Sequence, residues 1–177
     1  MSKIRLVLLS CCAPCSCGAI IQCAQDFDAD DFIVLFYNPN IFPESEYQKR
    51  LAEQIKFCES KGIKYAVGEY NRKAWLACVH GLENEPERGR RCTECFRHRF
   101  AFGAKWAAEN GYNAIASVFG VSRHKDQKQV DSAGNEITGQ IAYFPLNLDE
   151  NVRQKIVEKA GFYRQNYCGC EFSIKKP

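Results

Sequence analysis

The chain has 177 residues, 46% of them hydrophobic and 25% charged, which excludes a disordered or fibrous protein. That length fits one domain with one substantial core, and no apolar run approaches the roughly 18–20 residues of a membrane span. A net charge of +3 is too small to announce nucleic-acid binding by itself.

The N-terminus runs at once into Ile4-Arg5-Leu6-Val7-Leu8-Leu9, which reads as a first strand rather than a cleavable leader. The expectation is a soluble, unprocessed, cytoplasmic protein. Ser10-Cys11-Cys12-Ala13-Pro14-Cys15 follows, and then a helix with Ala19, Ile20, Cys23, Ala24 and Phe27 on one face. Phe32–Tyr37 is a near-continuous hydrophobic run, as in a buried parallel strand, and Asn38-Pro39-Asn40 ends it in a loop. Pro43 to Lys61 predicts an amphipathic helix with Tyr47, Leu51, Ile55 and Cys58 in one stripe. Glu46 and Arg50 make an i,i+4 pair on it, and Gly62 sits where it ends.

Ile63–Tyr70 reads as a third strand, and Trp75, Cys78, Val79 and Leu82 as a short helix. Glu83–Arg91 is polar and basic, hence a loop, before a strong helix from Cys92 to Asn110. Ala114–Phe119 is a fourth strand leading into Gly120–Asp126. Val130–Gln140 is polar, with Ser132-Ala133-Gly134-Asn135 expected as a turn, and Ile141–Leu146 is apolar again. Asp149–Ala160 predicts the last helix, followed by a tail from Phe162 to Cys170. Alternating strands and helices imply an α/β fold, a Rossmann-like three-layer sandwich with a mainly parallel sheet and a single catalytic domain over residues 1–177. In such sheets the ligand site lies beyond the carboxyl ends of the strands, where the loops after Leu9, Tyr37 and Phe119 collect. A metal site is expected there.

Cysteine is the compositional outlier, eleven residues and an odd number. In a reducing compartment, closely spaced thiols point to metal or redox chemistry rather than to disulfides. Cys23, Cys58 and Cys78 fall on helical apolar stripes and read as core. The other eight cluster in three places: Cys11, Cys12, Cys15 and Cys17 in the first strand-to-helix segment, Cys92-x-x-Cys95 at a helix start, and Cys168-Gly169-Cys170 in the tail. So many thiols exceed the four of a structural zinc site and the two of a thioredoxin-like dithiol, which favours iron–sulfur, although thiolates also suit zinc. A zinc-stabilised RNA-binding module without catalysis is the competing class. A nucleotide-activating enzyme fails, because the first loop has no glycines to cradle phosphates. Arg88, Arg90, Arg91, Arg97 and Arg99 surround the second cysteine pair and read as a phosphate-binding patch.

The motifs, taken together, resemble a known family. Cys11-Cys12-Ala13-Pro14-Cys15-Ser16, Tyr37-Asn38-Pro39-Asn40-Ile41, Glu46-Tyr47 with Arg50, Arg91-Cys92-x-x-Cys95-Phe96, Ser122-Arg123-His124-Lys125-Asp126 and Tyr163-Arg164-Gln165-x-Tyr167-Cys168-Gly169-Cys170 are similar to QueH-type epoxyqueuosine reductases. Six ordered blocks run nearly end to end. Arg123 fills a slot where proline is expected, and the segment Asp131–Gly139 has a variable-looking composition.

The resemblance implies cobalamin-independent removal of the epoxide oxygen of epoxyqueuosine in tRNA, with a 4Fe–4S cluster and an additional mononuclear iron. It implies Cys11, Cys12, Cys15, Cys92, Cys95, Cys168 and Cys170 as metal ligands and leaves Cys17 outside the pattern. His124, in the loop after the fourth strand, is expected in a catalytic role with Asp126 and Arg164. Asn38, Asn40, Arg88, Arg90, Arg91, Lys125 and Gln165 are expected to bind substrate. The partners implied are tRNA carrying epoxyqueuosine and an electron donor of ferredoxin or flavodoxin type, with no membrane.

Overall fold

The computed structural model describes residues 3–137 and 141–174. Five strands, β1 (Leu6–Ser10), β2 (Phe32–Phe36), β3 (Tyr65–Val67), β4 (Ala114–Ser117) and β5 (Ala142–Tyr143), form one sheet in the order β3-β2-β1-β4-β5. Every pairing among them is parallel. β1 is central, with Leu6 opposite Phe32 on one side and Ala114 on the other. All residues of β1, β2 and β4 are buried, which is why these stretches are hydrophobic throughout rather than alternating.

Six helices cover the sheet: α1 (Ala13–Asp26), α2 (Glu44–Ser60), α3 (Arg72–Cys78), α4 (Arg90–Glu109), α5 (Gln127–Ile137) and α6 (Glu150–Ala160). α1 packs against α2 and α6, whereas α4 packs against α3 and α5, giving helix–sheet–helix layers. The helix ends follow local chemistry. Pro14 opens α1, Asn71 Oδ1 accepts from Ala74 N at 3.0 Å to cap α3, and Asp149 Oδ1 accepts from Asn151 N at 2.9 Å to cap α6. Glu44 and Glu46 sit in the first turn of α2, where the helix dipole favours anions.

One expectation fails. The predicted turn at Ser132–Asn135 lies inside α5, although residues 138–140 of that polar stretch fall outside the described residues. Asp126 caps this helix through Oδ1, which accepts from Lys128 N at 2.8 Å and Gln129 N at 3.4 Å. Val130 and Ala133 are then fully buried, and Gly134 leaves room for the Tyr143 ring, which a Cβ would meet at 2.8 Å. Tertiary packing against α4 overrides weak helix propensity here. β5 also spans two residues where a longer strand is expected.

β1, β2 and β4 end side by side at Ser10, Phe36 and Ser117. The segments that follow carry Cys11 and Cys12, Tyr37 to Asn40, and Phe119 to Asp126. The carboxyl edge of the sheet therefore gathers the unusual loops, as the alternation of elements implies.

Candidate metal centre

Cys11 and Cys12 lie on the β1–α1 turn, and Cys15 lies at the start of α1. The three Sγ atoms are buried and lie within 4.8 Å of one another, with Cys11 and Cys12 at 3.9 Å. The turn is pinned from α2: Ser10 Oγ and Ser16 Oγ both donate to Gln54 Oε1, at 2.6 and 2.8 Å. Gln165 Nε2 donates to Cys12 Sγ at 2.9 Å. Hydrogen bonds from the Cys12 and Cys15 thiols, helped by the charges of Lys125 and Arg99, hold Cys11 well below the usual thiol range. Donation to Cys11 pushes Cys12 up to about 12 and Cys15 up as well. Thiols bind a metal as thiolates, so loading such a group releases protons.

A second group adjoins it. Cys92 and Cys95, in the first turns of α4, line one small pocket with Cys168 and Cys170 from the tail. The Cys170 thiol, the positive charge of Lys125 and the Cys170 amide lower Cys168 to about 5, while Cys170 is raised. Burial raises Cys92 against the amide of Arg88, which donates to its Sγ at 3.3 Å. Arg88 adopts a left-handed backbone, φ +66°, uncommon for a residue with a Cβ. Lys125 lowers both Cys11 and Cys168, and Arg99 faces Cys11 as well as Cys95, so the same two cations act on both groups.

The polar surroundings of the second pocket test which group fits it. Trp75 Nε1, Arg91 Nε and Arg99 Nη1 are buried without an acceptor among the described residues. A bare divalent ion held by four thiolates adds no acceptor, whereas a cluster adds bridging sulfides. Unsatisfied buried donors are costly, and an anionic sulfur-containing group answers them.

The tail is held to α2 by a buried cation. Arg50, 2% exposed, donates through Nε to Glu46 Oε1 at 2.6 Å and through its two Nη atoms to the carbonyls of Cys168 (3.3 Å) and Tyr167 (3.4 Å). Tyr163 Oη donates to Glu46 Oε2 at 3.1 Å. Gly169 has φ +108° and lies so close to Ile41 and Arg50 that a Cβ would meet them at 3.0 and 3.2 Å. Only glycine accommodates both constraints.

An open cavity of about 800 Å³ leads to these thiols. Cys15, Lys125 and Gln165 form its inner wall, and Arg123, Arg153 and Arg164 add positive charge. Gln165 Oε1 is buried there and accepts no hydrogen bond from the described residues. His124 borders this cavity, the four-thiol pocket and a neighbouring cleft of about 610 Å³, with Nδ1 3.5 Å from Glu87 Oε2.

The family model described as "Epoxyqueuosine reductase QueH" matches residues 6–176. The chain belongs to the epoxyqueuosine reductase QueH family. The QueH of Histophilus somni is 40% identical over 178 residues, covering 97% of this chain and 72% of its own. That of Acinetobacter baylyi is 38% identical, covering 97% and 81%. Among solved structures, the U34-tRNA thiolase NcsA from Methanococcus maripaludis with its [4Fe-4S] cluster aligns with a TM-score of 0.59 at 15% identity. That alignment covers 98% of this chain and 63% of the thiolase, and it shows a shared fold.

The QueH motif blocks meet at this centre, with several changes of role. Asn38 is buried and fully engaged: Nδ2 donates to Ser10 O at 2.9 Å and Oδ1 accepts from Arg99, so it is not free for substrate hydroxyls. Asn40 lines the four-thiol pocket rather than the large cavity. The five arginines do not make one solvent-facing patch. Arg91 is buried, donating to the carbonyls of Leu82, Glu83 and Glu85; Arg99 is buried beneath the thiols; and Arg97 is paired with Glu94 and Glu136. Arg88 and Arg90 are exposed, and Arg88 donates to the carbonyl of Arg123. Asp126 is engaged as the cap of α5 through Oδ1 and is not among the residues that line the large cavity. Arg164 is exposed and lines the large cavity. Cys17 turns away, its Sγ near the carbonyls of Pro14 (3.8 Å) and Arg153 (3.9 Å). Cys78 packs beside Cys95, Cys168 and Cys170 and donates to Glu94 O at 3.5 Å, nearer the centre than a remote core position. Trp75, expected only as part of a short helix, lines the four-thiol pocket, and the Glu46–Arg50 pair is buried and reaches the tail.

Proposed function

We propose that this family member performs its chemistry, the two-electron removal of the epoxide oxygen of epoxyqueuosine in tRNA, over the two adjoining thiol groups. The observation that carries the reading is the convergence of seven free thiols from three distant segments beside a cavity of about 800 Å³. The balance is epoxide plus two electrons and two protons, giving alkene and water. Cys92, Cys95, Cys168 and Cys170 have the donor count of a 4Fe–4S cluster. Cys11, Cys12 and Cys15 would hold a single iron and leave it a position for a further ligand. Bound, the pair supplies single electrons and a Lewis acid for the departing oxygen.

The protein's own residues do the rest. The cavity seats the modified base, and Gln165 Oε1, with its amide nitrogen committed to Cys12, accepts from a hydroxyl of the epoxide-bearing cyclopentane ring. Lys125 stands between cavity and thiols, where its ammonium offsets negative charge on the leaving oxygen and donates a proton to it. His124 lies next to it as a second proton carrier. An acidic one-electron carrier of ferredoxin or flavodoxin type suits the four-thiol side. The test is turnover: anaerobically prepared protein with about five irons per chain, given reductant, converts epoxyqueuosine in tRNA to queuosine, read by nucleoside mass spectrometry. Stoichiometric zinc without acid-labile sulfide, or no conversion by the iron-loaded protein, would sink the reading.

The cations around the cavity give a second expectation. Arg123 and Arg164 are exposed and form no ion pair among the described residues. Changing both to Ala should weaken tRNA binding roughly 10-fold or more. It should also lower the slope of log affinity against log salt by about 1.4, because each single-strand phosphate contact contributes roughly 0.7. Arg97→Ala should change neither. Equal slopes for the double variant and the parent would move the RNA to another face.

A further inference from the structure

The four-thiol pocket has an excess of donors. Trp75 is fully buried on α3, its ring stacked on Phe172 at 6.1 Å, yet its indole nitrogen finds no acceptor among the described residues. Arg91 gives Nη1 to three backbone carbonyls and retains an unpaired Nε. Arg99 gives Nε to Tyr37 O and Nη2 to Asn38, and retains an unpaired Nη1. These residues line the same pocket as Cys92, Cys95, Cys168 and Cys170. Trp75 is separate from the other two in cause as well as position. The arginines have alternative work in bracing loops, whereas a phenyl ring would fill the Trp75 site equally well if apolar packing were its whole purpose. A fully buried indole that lines a pocket of thiols and cations with its N–H idle implies an acceptor in that pocket.

We propose that Trp75, supported by Arg91 and Arg99, donates a hydrogen bond to a sulfur of the group bound at Cys92, Cys95, Cys168 and Cys170 and thereby raises its reduction potential. The assignment rests on the iron–sulfur reading of that pocket. A donor aimed at sulfur stabilises the more negative, reduced state over the oxidised one, which moves the potential upward. Trp75 acts through the group and does not touch the substrate, so it is a positioning and tuning residue. Its place on α3 also sets it against the tail through Phe172.

The experiment compares the holoprotein with Trp75→Phe and Trp106→Phe, all prepared anaerobically, by iron and sulfide analysis and by spectroelectrochemical titration. Trp75→Phe should retain parental iron and sulfide and show a more negative midpoint, and Trp106→Phe, altered near the other end of α4 beside Tyr112, should show the parental midpoint. A loaded Trp75→Phe protein with an unchanged midpoint would overturn the assignment. A parent protein without sulfide would instead overturn the iron–sulfur reading itself. A measurement on the unaltered sequence stands independent of folding. With ¹⁵N in the indole nitrogens, the reduced holoprotein should show hyperfine coupling from one of its two tryptophans, and the absence of any coupling would also overturn the proposal.

Discussion

Cys168→Ala should abolish epoxide reduction, a loss greater than the roughly 100-fold that changes around a metal ligand cause. The iron content should fall with it. Cys168 is the thiol held to about 5 by Cys170, Lys125 and the Cys170 amide, so it is the four-thiol member best prepared as a thiolate. Removing it leaves Cys170 without the sulfur its thiol and amide donate to. Cys17→Ala and Cys58→Ala are the controls, because both thiols are buried and neither joins the centre. Each should keep its iron and its turnover and lose about 1 kcal/mol of stability, read from urea unfolding. Loss of iron from Cys17→Ala, with retention in Cys168→Ala, would reverse the division of the cysteines.

Spacing shows the three cysteine clusters, Cys17 among them, and only the family resemblance sets Cys17 apart; how the fold places the clusters is not legible locally. The clusters at Cys11–Cys15, Cys92–Cys95 and Cys168–Cys170 are local patterns, visible because each lies within one turn or loop. Their assembly as three plus four depends on β1 being central, and on the tail returning across the carboxyl edge of the sheet. No local pattern encodes that return. The strands were readable because a parallel sheet covered on both faces needs continuous apolar runs, and β1, β2 and β4 have them. Helix α5 was missed because Ser, Gly and Asn favour turns in isolation, whereas burial of Val130 and Ala133 settles the matter in three dimensions.

The arginines mislead for a related reason. Charge along a sequence reads as charge on a surface, yet Arg91 and Arg99 sit on the inward face of α4, four residues either side of Cys95. The helical period that brings Cys95 to the pocket brings them too. A guanidinium with several donors can satisfy loop carbonyls and still direct one N–H at sulfur, which suits a buried anionic group. Asn38 has the same history: its turn chemistry was evident, but its engagement by Ser10 and Arg99 was not.

Arg50→Ala should destabilise the protein by about 3–5 kcal/mol, because it strands Glu46 as a buried, half-compensated carboxylate. The sequence shows only an i,i+4 pair, which on an exposed helix contributes roughly 0.3–0.5 kcal/mol. Burial changes the magnitude. The pair is 2% and 10% exposed at its side chains, and Arg50 also donates to the carbonyls of Cys168 and Tyr167. Stability and loop position can be separated experimentally. The double variant Glu46→Leu, Arg50→Met removes both charges together, so it should recover much of the stability lost in Arg50→Ala. It cannot restore donors to the two carbonyls, so its Cys168–Cys170 loop should remain loose and its iron content low. Arg50→Lys keeps the charge without the planar fork and should fall between parent and Arg50→Ala in both readouts. Urea midpoints and iron-to-protein ratios for the four proteins decide the matter. An Arg50→Ala protein with the parental midpoint would show that the pair is solvated. A double variant with full iron would show that the tail's other contacts, such as Phe42 N to Gly169 O and Gln165 Nε2 to Cys12 Sγ, suffice to hold it.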